Sequence, residues 1–209
     1  MMLPTLSDLP IASPLPATSG SLSPDEQAQA ARATVGLGEI SGRTLLHLRG
    51  NDAESVLQAE HMNIGDVIDQ SGLLARLRRD EFVLLARDRL TASEQIVAKI
   101  GERRVTLTDI THGRCGLLLI GARAPNVLPK VCALDFDLFP NLHAAQTSLA
   151  KVRTLIVRAD VDSVPAYGLF VDRSLAAYVW GVVYDAAQEF EGVPLSNDGF
   201  ESLRMGSLW

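Results

Sequence analysis

Residues 43–57, RTLLHLRGNDAESVL, and residues 114–128, RCGLLLIGARAPNVL, superpose without a gap. Arg43 meets Arg114, Leu46 meets Leu117, Leu48 meets Leu119, Gly50 meets Gly121, Ala53 meets Ala124, and Val56-Leu57 meets Val127-Leu128. In each stretch apolar alternation gives way, after the glycine, to an apolar pair one helical turn past Ala53 or Ala124, which predicts strand, tight turn and helix. Gly50 and Gly121 are expected to make the turn. The correspondence continues downstream: 73–100 and 155–183 each read as strand, polar turn, second strand and closing helix, with Arg76 matching Arg158 and Phe82 matching Tyr167. The offset widens on the way, so the second copy carries an insertion, which falls in the region of 132–158. Two copies and a long period exclude a solenoid. The expected fold is therefore α+β: two tandem βαββα units of ferredoxin-like type, with antiparallel-rich sheets and helices packed on one face.

The repeats sit between two irregular ends. Residues 1–24 are rich in Pro, Ser and Thr and are expected to form an extended arm. A short helix should follow, capped by Ser23, with Pro24 at its first position and acids in its first turn. The first repeat is set at 25–104, the second at 105–191, and 192–209 is read as an extended tail. That tail carries Val193, Leu195, Phe200, Leu203, Leu208 and Trp209, which need a surface, either the chain's own core or a partner subunit. GLG at 36–38 reads as a turn. In CALDFDLFPNLHAAQTSLAKVRTLIVR, Asp135 and Asp137 are expected to end a helix and turn the chain, Pro140 to prevent helix continuation, and AAQTSLAKVRTLIVR to enter a strand.

With 209 residues, 47% hydrophobic, the chain can bury a sizeable core. A net charge of −6 makes nucleic acid an unsuitable partner. No apolar window is long enough for a membrane span, and the first residues carry acids and prolines where a signal peptide needs a basic start and an apolar run. The cytoplasm is the expected compartment.

Chemistry is scarce. Cys115 and Cys132 lack CxxC or His pairing and are expected to be buried, reduced thiols rather than zinc ligands. His47, His61, His112 and His143 are scattered, with no i, i+4 pair, so a surface or half-buried place is expected for each. No dinucleotide or P-loop glycine motif occurs. Ser174 reads as the N-cap of the helix LAAYVWGVVYDAAQEF, on which Tyr178 and Trp180 cannot share a face. Asp109 and His112 form the most site-like pair, against the plainer expectation of a strand-end aspartate turning a loop. Arg76 and Arg158 could clamp a carboxylate, but strand rims ordinarily put such residues in solvent. The expectation is no catalytic, cofactor-binding or metal-ligating residue in this chain.

The second half resembles the gamma subunit of heterotetrameric sarcosine oxidase. The strings that carry the resemblance are VTLTDITHGRCGLLLIGARAPNVLPKVCALDFDLFP, AAQTSLAKVRTLIVR and PAYGLFVDRSLAAYVWGVVYDAAQEF, within about residues 72–190. Residues 43–70 are closer to the wider folate-binding group that includes the glycine-cleavage T-protein. In DQSGLLARLRR, Gly72 matches that group's glycine-rich loop, but no matching acid stands behind it. The resemblance implies an accessory, non-catalytic gamma subunit in an assembly whose larger alpha and beta subunits and small delta subunit hold FAD, FMN, NAD and tetrahydrofolate. It also leaves open a stand-alone folate-binding aminomethyltransferase-like protein, a related N-methyl amino-acid dehydrogenase subunit, or a folate-sensing or repair accessory protein of the same fold.

Overall fold

The computed structural model describes residues 13–15, 22–41, 43–69, 72–86, 88–203 and 209. Most of the expected N-terminal arm, and Leu208, lie outside them. The chain opens with α1 (Pro24–Ala33), where Ser23 accepts from the Glu26 backbone N–H and the Glu26 carboxylate accepts from the Ser23 N–H, a reciprocal capping box.

The first copy contributes β2 (Thr44–Arg49), α2 (Ala53–Leu57), β3 (Val67–Asp69), β4 (Gly72–Arg78), β5 (Glu81–Ala86) and α3 (Arg89–Ile100). The second contributes β7 (Arg114–Ile120), α4 (Ala124–Val127), β8 (His143–Leu149), β9 (Val152–Arg158), β10 (Ala166–Asp172) and α5 (Ala176–Gln188). Each copy thus has one strand, β3 or β8, beyond the strand-helix-strand-strand-helix expectation. AAQTSLAKVRTLIVR is two strands rather than one: β8 and β9 form a hairpin through Ala150 and Lys151, both at positive φ (49° and 64°). That is the backbone of a two-residue turn whose usual Asn-Gly or Asp-Gly signal is missing here.

The two sheets have matching strand orders. One runs β3-β4-β5-β2 and continues to β6 (Thr106–Asp109); the other runs β8-β9-β10-β7 and continues to β1 (Gly36–Glu39) and β11 (Val193–Leu195). The sheets therefore do not follow the division at 104/105, because β6 completes the first sheet and β1 the second. GLG at 36–38 is not a turn but strand β1, antiparallel to β7 and parallel to β11. Nor are residues 192–203 an extended tail: β11 and α6 (Asn197–Ser202) pack on the chain itself, with Leu195, Leu203 and Trp209 buried. Ser174 does not cap α5; it lies in a 3-10 turn, Arg173–Leu175, that leads into the helix.

Strand alternation sorts side chains into layers. Leu46, Leu48, Leu74, Phe82 and Leu84 face α2 and α3, with Val56, Leu57, Ala92 and Ile96. Leu117, Leu119, Tyr167, Leu169 and Val171 face α4 and α5, with Val127, Val179, Trp180 and Val183. Between the sheets, Leu45, Leu73, Ala75, Val83 and Leu85 meet Leu118, Ile120, Val157 and Phe170. The order is helix, sheet, sheet, helix. Trp180 is buried and Tyr178 is 53% exposed, as their i, i+2 spacing requires. Among the described residues no helix is long and apolar enough to cross a membrane.

The duplication reaches individual side chains. Arg76 is opposite Phe82 in the β4–β5 ladder, and its guanidinium lies 5.3 Å from the ring centroid. Arg158 is opposite Tyr167 in the β9–β10 ladder, at 5.5 Å. A cation over an aromatic face across two strands is the same local solution used twice.

Candidate functional site

The most site-like pair in the sequence does not form. Asp109, at the end of β6, accepts from the Thr111 N–H at 2.9 Å and pairs with Arg89 at 2.6 Å, while His112 is exposed. Burial opposes the Asp109 charge, but the Thr111 hydrogen bonds and Arg89 hold its carboxyl below the ordinary aspartate value. It is a loop-turning aspartate. Asp135 behaves alike, accepting from the N–H of Asp137 at 3.1 Å within a connector whose buried Phe136 and Phe139 meet edge-on, Phe136 also against Tyr167. It turns the chain without ending a helix.

Arg76 contradicts the expectation of a solvated rim, since it is 7% exposed. Its Nη1 donates to Glu54 Oε1 at 2.8 Å and to the Met62 carbonyl at 2.7 Å, and Nη2 donates to the Arg79 carbonyl at 3.0 Å. It ties α2 and the β3 approach to β4, so its role is structural. Arg76→Ala strands Glu54 and two carbonyls, and urea unfolding is expected to show a loss of about 3 kcal/mol. A loss below about 1 kcal/mol would mean the pair is not load-sharing. Arg158 is partly buried and holds Asp160 with two 2.9 Å bonds while donating to the Phe139 carbonyl. The Asp160 hydrogen bond raises its pKa further. Both arginines spend their terminal nitrogens on acceptors of the chain itself.

Both cysteines are free and buried. Burial pushes the Cys115 thiol up to about 11, so it is not a thiolate near neutral pH. Among the described residues no group of three His, Cys, Asp or Glu side chains could hold a metal ion.

The site that sequence reasoning missed lies between the sheets. On β2 the face turned toward the other sheet reads Leu45, His47, Arg49, so its apolar alternation fails after one position. On β5 the same face begins with Glu81 before Val83. Arg114 from β7, Gln146 from β8 and Arg153 and Leu155 from β9 face them, and Thr154 between those two also borders the space. Polar groups at these places prevent the sheets from closing, and a cleft of about 280 Å³ remains, floored by Leu45, Val83, Ile110, Leu155 and Phe170. Glu81 is 6% exposed, with His47 Nε2 at 3.1 Å and Arg78 Nε at 3.4 Å from its carboxylate. Arg114 pairs with Asp172 at 2.8 Å, and Arg49 stands 4.0 Å from Asp80. Arg153 donates to Gln146 Oε1 at 3.2 Å, and among the described residues it has no carboxylate partner. Thr154 Oγ1 donates to its neighbouring Val152 carbonyl at 3.1 Å, which leaves it a poor nucleophile. The arrangement suits binding of an anion over an apolar floor. The available signal was positional: His47 and Arg49 occupy alternate β2 positions that should be apolar if that face were fully covered.

Two stacked sheets with outer helices, matching strand orders and an inter-sheet cleft define a duplicated α+β domain. The profile of the GCVT N-terminal domain matches residues 61–208, and the chain belongs to that family. Heterotetrameric sarcosine oxidase from Corynebacterium sp. U-96, solved in complex with pyrrole 2-carboxylate, has a chain that matches at 26% identity and a TM-score of 0.67, covering 78% of this chain and 90% of that one. The glycine cleavage system aminomethyltransferase T from Bartonella henselae shares the fold at a TM-score of 0.72 and 18% identity, over 88% of this chain and 54% of its own. No curated protein matches by sequence search.

Proposed function

We propose that this chain is an accessory subunit, the counterpart of the gamma subunit, in a flavin- and folate-dependent assembly that oxidatively demethylates sarcosine in the cytoplasm. The observation that carries this reading is one of extent. At 26% identity the chain accounts for 90% of a sarcosine oxidase chain, whereas it spans about half of the aminomethyltransferase. On this reading FAD, FMN, NAD and tetrahydrofolate belong to larger alpha and beta partners, which a small delta subunit accompanies. This chain supplies no catalytic residue. Apolar side chains left in solvent fit a packing role: Leu90 and Val97, two helical turns apart on α3, are 71% and 58% exposed, and Leu138 is 80% exposed. Co-expression with flavoprotein subunits of that type, followed by capture through this chain, is expected to yield a stoichiometric yellow complex. A chain that elutes alone with those subunits present defeats the reading.

The family match favours a second reading, a folate-binding aminomethyltransferase-like protein that acts by itself. Tetrahydrofolate would then raise the unfolding temperature saturably, because a ligand that binds only the folded state stabilises it by RT ln(1 + [L]/Kd). A subunit of a related N-methyl amino-acid dehydrogenase would differ from the leading reading only in the amine oxidised by its partners.

A further inference from the structure

We propose that the inter-sheet cleft binds a small ring-bearing monocarboxylate, with the ring between the two sheets and the carboxylate on Arg153. This goes beyond the subunit reading and does not rest on it. Charge comes first. Three arginines, Arg49, Arg114 and Arg153, line the cleft against one lining carboxylate, Glu81. Asp80 and Asp172 stand beside Arg49 and Arg114, and His47 and Arg78 beside Glu81, so among the described residues the cleft cation left without an acid is Arg153. One negative charge balances it. Among the described residues its guanidinium makes a single hydrogen bond, to Gln146 Oε1, and keeps donors for a bidentate carboxylate, the anion whose planar geometry matches the arginine fork.

Shape and size narrow the class further. The cleft lies between two facing sheets, and Leu45, Val83, Leu155 and Phe170 give it an apolar floor on which a ring can lie. At about 280 Å³ the cleft is at the small end for ligand pockets. A ring with short substituents fits inside, whereas a dinucleotide does not. The His47–Glu81 pair at the same wall offers a hydrogen-bonding partner for a polar ring atom or substituent.

Benzoate and its neutral isostere benzamide test this on the purified full-length chain. Calorimetric titration is expected to show saturable benzoate binding, with benzamide weaker by about tenfold, since a charge-assisted bidentate contact is lost. Benzoate should also shift the His47 imidazole resonances and leave those of the exposed His61 and His112 in place. Arg153→Gln should weaken benzoate by about tenfold and leave benzamide unchanged. Arg153 is exposed, so this variant retains the fold, which its circular dichroism and melting temperature will verify. Equal affinity for the acid and the amide, no saturation at millimolar benzoate, or benzoate binding indifferent to Arg153→Gln would each overturn the proposal. So would tetrahydrofolate occupying the cleft without being displaced by benzoate. None of these results bears on whether the chain captures flavoprotein partners.

Discussion

Alanine at Gly121 is expected to cost about 4 kcal/mol of stability, the sum of left-side backbone strain and overpacking against groups that cannot move aside. Gly121 has a φ of +139°, and a Cβ there would lie 2.3 Å from the Ala31 carbonyl oxygen and 2.4 Å from that of Thr34. Both obstacles are backbone, at the end of α1 where the N-terminal segment crosses the second copy. Gly50 is the same position in the first copy, with a φ of +146° and a Cβ that would meet the Arg104 carbonyl oxygen at 2.0 Å. Gly50→Ala should therefore lose a similar amount, also about 4 kcal/mol. Against a typical total of roughly 5–15 kcal/mol, either variant approaches the threshold of folding. Urea midpoints for the two variants check this. Losses under about 1 kcal/mol in both would show that the turns can relax, contrary to their packing.

Removing the last side chain is expected to be nearly as damaging. Trp209 is 2% exposed, its Nε1 donates to the Ala159 carbonyl at 2.8 Å, and its ring lies over Gly168, where a Cβ would come within 2.4 Å of it. Trp209→Ala should destabilise by about 4 kcal/mol through lost transfer energy and the cavity left on the inner face of the second sheet. Trp209→Phe keeps most of the ring but leaves the Ala159 carbonyl without its donor, and about 1–2 kcal/mol is expected. Thermal or urea unfolding of both variants gives the comparison. Equal, negligible losses would mean that the C-terminus contributes no core packing.

The ends of the chain also hold each other. Gln27 Oε1 accepts from the Ser196 N–H and hydroxyl at 2.9 Å, and Arg32 donates to the Leu203 carbonyl at 2.6 Å. β11 lies parallel to β1, so strands from the two ends close one edge of the second sheet. This is why the apolar residues at 193–203, read as a tail in search of a surface, find it on the same chain. No periodicity in so short a segment distinguishes that outcome from docking on a partner.

Much of the architecture was legible because duplication doubles each local signal. Alternation, the glycines at 50 and 121, and the Arg–aromatic matches at 76/82 and 158/167 appear twice, and physical constraints that recur in sequence recur in space. The strands β3 and β8 were hidden for separate reasons: β3 has three residues, and β8 is a mostly polar edge strand joined to β9 by a turn of unusual composition. The burial of Arg76 depends on Glu54 and two carbonyls that come together only when α2 packs against β4. Ser174 was a reasonable cap by residue type, but the chain enters α5 through a tighter turn.

By itself the sequence determined the α+β class, the duplicated units, the capped first helix and the burial of both cysteines, all of which follow from neighbours along the chain. The exchange of β1 and β6 between sheets, the burial of Trp209, and the meeting of His47, Glu81, Arg114 and Arg153 in one cleft were decided by the tertiary structure. Those residues belong to strands of two facing sheets, and their joint charge and shape exist only once the apolar faces around them have packed.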